Sequence, residues 1–146
     1  MTDPTDKVLT ALYTLLNNTI TVTQKTGSGN VTVPFYTFPK NDATYPYITV
    51  ATIDAVADTD KNAFGTEVVV NLDVVTSFDS DVASAKQANA IADAVLDKLN
   101  HKTKLSLTGL VNWNVRLEAS NLLNEVSQSQ RIVRKIMRFR LGVWEG

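Results

Sequence analysis

The chain has no cysteine and only one histidine among its 146 residues. Without cysteine there is no disulfide, no thiol nucleophile and no thiolate metal site, and such a chain suits folding in a reducing cytoplasm. It also lacks any apolar run approaching the roughly 20 residues that span a bilayer, so no membrane partner is expected. The start, Met1 to Lys7, lacks the basic and apolar regions of a signal peptide, and the chain therefore reads as soluble and cytosolic in origin. Neither Gly nor Pro is abundant, with 6 and 4 copies, and no low-complexity stretch or internal repeat is visible. The hydrophobic share of 44% against 20% charged residues is that of a globular protein. The length fits one domain, 1–146, able to bury a core unaided, since staples become necessary only below about 40 residues.

The net charge of −1 hides a division. Residues 1–100 carry 6 Lys+Arg and 12 Asp+Glu, whereas residues 101–146 carry 8 and 3. Such a division fits a nucleic-acid face, a head-to-tail contact between copies, or two solvated surfaces segregated by coincidence.

Periodicity predicts the elements. Asp3-Pro4 opens a helix, with Asp3 as cap and Pro4 at the first helical position, and Val8, Leu9, Leu12, Leu15 and Leu16 form its apolar stripe. A strand starts at Ile20, and Thr26 to Asn30 form a turn. Val31 to Phe38 is strand-like, and Pro34 marks an edge or a bulge within it. Residues 39–46 form a loop, Tyr47 to Ala57 a strand, and Asp58 to Gly65 a polar turn. Glu67 to Phe78 is the clearest strand, with Val68, Val70, Leu72, Val74 and Phe78 on one face and Asn71, Asp73 and Ser77 on the other. Asp79-Ser80-Asp81 is expected to cap a second helix with the stripe Val82, Ala85, Ala88, Ala92, Val95, Leu96 and Leu99.

The last third predicts a long C-terminal hairpin. Val111, Trp113, Val115 and Leu117 share a face of its first arm, and Met137, Phe139, Leu141 and Val143 share a face of the second. Antiparallel pairing is then expected to match odd residues with odd ones. The connection, about Ser120 to Gln130, reads as a long loop. Lys135 and Arg131 occupy positions where the second arm should be apolar, so this end is expected to project, carrying Leu122, Leu123 and Val126 as partner contacts; the other reading is an ordinary surface loop. The fold class expected is α+β: a mostly antiparallel sheet of about five strands, two helices packed on one face, and the long hairpin.

No convergent catalytic set is visible. His101 follows a helix end, where a partly charged imidazole suits the dipole. Asp58 to Asn62 superficially resembles a calcium loop, but Ala63 stands where glycine is required and Val69 where a bidentate acid is required. Gly27-Ser28-Gly29 is too short to cradle a phosphate, and Asp79 and Asp81 serve better as helix-start acids than as a catalytic pair. The chain is therefore expected to be no enzyme and to need no cofactor or metal. The concentrated signal is the basic strand Arg131, Arg134, Lys135, Arg138 and Arg140. It fits phosphate binding by charge, an acidic surface on a neighbouring subunit, or pairing across the sheet with Glu118.

Four stretches carry a family resemblance when taken in order. They are Pro34 to Tyr47 (Pro-Phe-Tyr-Thr-Phe-Pro-Lys-Asn-Asp-Ala-Thr-Tyr-Pro-Tyr), the Ala-rich helix Asp81 to Leu99, Leu105-Ser106-Leu107-Thr108-Gly109, and the closing Met137-Arg138-Phe139-Arg140. Over nearly its whole length the chain resembles the tail-completion, or tail terminator (tail-to-head joining), family of long-tailed bacteriophages. The resemblance implies a structural virion protein, assembled in the host cytoplasm. Its copies would form a ring, commonly a hexamer, between the tail tube protein and the head-tail connector, with genomic DNA passing through. It brings no catalytic residues. The chain departs from the family pattern between Ser120 and Gln130 and in the Thr/Gly-rich stretch from Thr21 to Asn30. A stopper or adaptor of the head-tail connector, or a DNA-binding module using the basic strand, are the alternatives.

Overall fold

The computed structural model describes residues 3–23, 29–38, 43–60, 63–79, 85–127 and 130–145. In chain order the elements are α1 (Thr5–Leu16), β1 (Ile20–Thr23), β2 (Asn30–Val33), β3 (Phe35–Tyr36), β4 (Tyr47–Asp60), β5 (Ala63–Asp79), α2 (Lys86–Lys98), β6 (Leu110–Ser127) and β7 (Gln130–Glu145). The class is α+β. Strands β1 and β2 pair as a small antiparallel sheet, and the other five are ordered β3-β4-β5-β7-β6, antiparallel except for the β3–β4 pair.

The α1 stripe buries Val8, Leu9, Leu12 and Leu16 as the spacing predicts. The helix starts one residue later than expected, at Thr5. Asp3 still serves its first turn, accepting from the Thr5 amide at 2.9 Å and the Thr5 hydroxyl at 2.6 Å. Those bonds favour the charged carboxylate and hold Asp3 below its ordinary pKa. Pro34 marks an edge, as one of the two readings had it. It separates β2 in the small sheet from β3 at the border of the large one, and its carbonyl accepts from the Ile48 amide at 3.0 Å.

The core lies between the helices and one sheet face. Val68, Val70, Leu72, Val74 and Phe78 of β5 share it with Met137, Phe139 and Leu141 of β7 and with Ala88, Ile91, Ala92 and Val95 of α2. Leu72 and Phe139 are fully buried, and burial of each such side chain contributes about 1.5–3 kcal/mol.

Four expectations are corrected. The polar turn from Asp58 to Gly65 is mostly strand: β4 runs to Asp60, β5 starts at Ala63, and the ladder pairs Asp60 with Ala63. Continuous backbone pairing outweighs the turn preference of these residues. Asp79 does not cap a helix, because it still pairs with Gln130 at the end of β5, and α2 begins only at Lys86 without a side-chain cap; Ser80, Asp81 and Val82 lie outside the described residues, as do most of Thr26 to Asn30. The connection from Ser120 to Gln130 is strand as far as Ser127 and again at Gln130. β6 extends to Ser127 and β7 begins at Gln130, the two pairing at their ends, so the polar residues there are held by a cross-strand partner rather than by a core.

The fourth correction concerns register. Odd residues pair with odd only around Val115↔Leu141 and Leu117↔Phe139. Irregularities between Asn112 and Asn114 and between Leu117 and Ala119 shift the parity on either side. Each extra residue turns the next stretch of strand to the other face. Leu110 and Asn112 therefore face the core, whereas Val111 and Trp113, expected inside, are 42% and 50% exposed. Asn112 anchors this arrangement. Its buried amide nitrogen donates to the carbonyls of Asn114 and Gly142 at 2.9 Å, and its carbonyl oxygen accepts from the Leu105 amide at 2.9 Å. The preceding Leu105 to Gly109 segment reaches β6 through Gly109, whose φ of 74° is the left-handed region that favours glycine.

Candidate assembly surface

The sheet face away from the helices is a field of matched charges. Its residues alternate with the core residues, so β5 presents Glu67, Asn71 and Asp73 there, and β7 presents Arg134, Arg138 and Arg140. Arg134 clamps Asp73 with both Nε and Nη2, the Nε bonds measuring 3.0 and 3.3 Å, and its Nη1 reaches Glu125 at 2.8 Å. Asp73 is buried and hydrogen-bonded to a cation, and that bond raises the Arg134 pKa above its ordinary value. Arg140 bridges Glu67 and Glu118, each at 2.9 Å, while Arg138 donates to Glu118 at 3.2 Å. The Arg140 bond is the main cause holding the Glu118 carboxyl below, and the Arg140 guanidinium above, their usual ranges.

Pairing across the sheet with Glu118, one of the readings open from sequence, is thus what Arg138 and Arg140 do. The other counter-charges, Glu67 and Asp73, come from β5 more than 60 residues away in sequence for the Asp73–Arg134 pair (a separation of 61), which local reading does not reveal. The basic strand also divides. Lys135 and Arg131 lie opposite Val74 and Phe78, on the helix side of the sheet. Lys135 donates to Asn89 of α2 at 2.8 Å, and the Nε of Arg131 is buried without a hydrogen-bond partner among the described residues. The five basic residues therefore do not form one surface.

The sequence expectation also placed Leu122, Leu123 and Val126 together on a projecting arm. All three are exposed, at 50%, 40% and 66%. They lie on β6, which is the sheet's border strand and, among the described residues, pairs only with β7. Leu122 and Val126 are opposite Lys135 and Arg131 on the helix side, and Leu123 is opposite Arg134 on the charged face. Among the described residues no helix layer covers this part of the sheet, and every residue from Arg116 to Val126 is exposed. The strand is mixed in character, its three apolar side chains standing among Asn121, Asn124 and Glu125.

Sequence reasoning missed two aromatic features. Trp113 sits at the first irregularity of β6 and lies over Gly142, where an added Cβ would come within 2.6 Å of its Nε1 and Cζ2. Trp144, 43% exposed, pairs with Val111 beside it. A lone glycine in the otherwise bulky β7 was the available signal, since glycine within a strand marks a close approach. The second feature is the corner where Tyr47 packs edge-on to Tyr36, with ring centroids 5.6 Å apart, and Tyr45 lies 5.3 Å from it. Burial is the main cause raising the Tyr47 pKa.

His101 is exposed at the lip of a groove between α2 and β6. Among the described residues no group of three His, Asp or Glu is placed to hold a metal ion, and no helix is long and apolar enough to cross a membrane.

The fold and this surface define an α+β protein with one sheet face under helices, the other locked by ion pairs, and long strand borders without a partner among the described residues. No protein-family model matches the chain, and no curated protein matches it. Among solved structures, it is similar over 100% of both chains to a chain of the "Virion of native gene transfer agent (GTA) particle", with a TM-score of 0.68 and 20% sequence identity. That likeness is one of fold.

Proposed function

We propose that this chain is a structural virion protein, a tail terminator whose copies close as a ring on the head-proximal end of a phage-like tail tube. There it stops tube growth and offers a surface to the head-tail connector, and it performs no catalysis. The observation that carries this reading is the whole-length fold likeness to a chain of a gene transfer agent virion. The ordered motifs from Pro34 to Arg140 support the narrower role, with six copies the expected ring. The open borders of β4 and β6, on opposite edges of one sheet, fit the two different surfaces that a heterologous ring contact requires. Arg134, Arg138 and Arg140 already meet carboxylates of their own chain, so a phosphate backbone would have to displace those partners, which disfavours a DNA-binding module. The test is native mass measurement and imaging of the purified protein, alone and mixed with growing tail tubes. The expected result is a ring seated at one tube end and tubes that cease to lengthen. A strict monomer that leaves tube growth unchanged overturns the reading; seating on the connector instead of the tube transfers it to a stopper or adaptor.

A further inference from the structure

The helix layer is narrower than the sheet it covers. α1 packs on β3 and β4, and α2 on β5 and β7 of the large sheet. A helix is about 10 Å across and strands lie about 4.8 Å apart, so two helices cover four strands and one is left over. That strand is β6. From Leu117 onward its helix side presents Leu117, Ser120, Leu122, Asn124 and Val126. All five are exposed, although Phe139, Met137 and Val133, opposite three of them, are buried. One flank of α2 borders this open strip. Asn89 accepts from Lys135 of β7 there, and Leu96, two turns further on, lines a groove of about 390 Å³ together with Leu117 and Phe139. The result is a slot with a helix for its wall and a strand for its floor.

The slot is apolar along its floor and cationic at its hairpin end. Leu117, Leu122 and Val126 are 37%, 50% and 66% exposed. Lys135 and Arg131 stand opposite Leu122 and Val126, and neither meets a carboxylate among the described residues. Lys135 is held only by the neutral amide of Asn89, and the Arg131 Nε is buried without a partner. Glu125, on the same stretch of β6, lies on the other face and is bound to Arg134 at 2.8 Å. The middle of the slot is not cationic, because Asp93 lies on the same flank of α2, between Asn89 and Leu96. An occupant must therefore be apolar along its length and acidic at one end.

We propose that this slot receives an amphipathic helix of another protein, its apolar stripe on Leu117, Leu122 and Val126 and its acidic end against Arg131 and Lys135. From Leu117 to Val126 the floor runs about 30 Å, the length of about 20 helical residues. A second copy of this chain does not supply such a helix, since the apolar stripes of α1 and α2 are buried in their own core. A helix on the face touches the floor and both cations directly. A strand added to the outer edge of β6 would stand two strands away from Arg131 and Lys135, at about 10 Å. The contact goes beyond the ring reading and does not depend on it.

The test uses the full chain and a defined probe, a synthetic helix of about 20 residues with a Leu stripe at helical spacing and Glu in one terminal turn. Binding is read by fluorescence anisotropy of the labelled peptide and by amide shifts of the isotope-labelled chain. The acidic helix is expected to bind, with shifts confined to residues 89–100, 117–126 and 131–135. A version with Lys in place of Glu is expected to bind about tenfold more weakly or worse. The Leu122→Ser/Val126→Ser variant, altered only at exposed positions, is expected to melt like the parent and to bind the acidic helix about tenfold more weakly or worse. Arg131→Glu is expected to reverse the preference between the acidic and basic peptides; should it fail to fold, the peptide pair and the serine variant carry the test alone. No binding, equal binding of acidic, basic and reordered peptides, or binding that the serine variant leaves unchanged overturns the proposal. Tighter binding of a proline-interrupted acidic peptide, which cannot form the helix, overturns it in favour of an added strand. Ring formation is measured without the peptide, so none of these results decides it.

Discussion

Strands β5 and β7 and the outer halves of β4 and β6 belong to one sheet, yet they live in different environments. β5 and β7 have a strand on each side, helices over one face and ion pairs across the other. Past Ala51 and Arg116 respectively, β4 and β6 have, among the described residues, one strand neighbour and little over either face. Leu72 and Leu117 make the contrast concrete. Both sit in alternating apolar patterns, but Leu72 is fully buried and Leu117 is 37% exposed. A strand's own alternation says which residues share a side. Whether that side is core depends on the layer above it, and here two helices suffice for the middle of the sheet only.

This contrast can be broken by substitution. Phe139→Ala in the buried middle is expected to lower unfolding free energy by about 3–5 kcal/mol, read as a shift in denaturant midpoint. Asn112→Ala removes the side chain that ties Leu105, Asn114 and Gly142 together, and is expected to cost about 2 kcal/mol because buried backbone groups lose their partners. The combined Leu122→Ser, Leu123→Ser and Val126→Ser variant is expected to change the stability of the isolated chain by no more than about 0.5 kcal/mol per site while abolishing assembly. A stability loss there comparable to that of Phe139→Ala would mean the ribbon is part of the core after all.

The smallest effect sharpens the charged face. The Glu118 pKa is depressed, chiefly by Arg140, so its pairing stabilises the fold above the ordinary carboxylate value of 4.5 and is lost as pH falls through the lower folded value. Glu118→Gln is therefore expected to remove this small contribution at neutral pH and so to flatten the acid limb of a stability-against-pH curve below 4.5, the variant and the parent converging at low pH. An acid limb identical to that of the parent would contradict it.

Much of the fold was legible in the sequence because it is written in local periodicity. The α1 stripe, the two faces of β5 and the hairpin of β6 and β7 can all be read from the spacing of apolar residues. The misses share a physical cause, namely that long-range partners decided the outcome. Asn112 finds Gly142 across 30 residues and Trp113 finds room over the same glycine, and together they shift the register that alternation alone predicted. Asp79 reads as a cap until Gln130 is seen opposite it. Residues 120–127 read as a loop because nothing apolar repeats there, although β7 holds them extended. On the candidate surface, the exposed arm was legible from Leu122, Leu123 and Val126. The division of the basic strand between two faces is a consequence of alternation, but its Asp73 and Glu67 partners on β5 required the register.

Backbone hydrogen exchange across the whole chain, before and after assembly on tail tubes, tests most directly whether the open borders are what the protein assembles through. The amides of β4 from Ala51 to Asp60 and of β6 from Arg116 to Ser127 that point away from β5 and β7 are expected to exchange rapidly in the free chain and to become protected in the ring, while the ladder amides of β5 and β7 stay protected throughout. A ring that forms with both ribbons still exchanging at their free-chain rates would contradict the account.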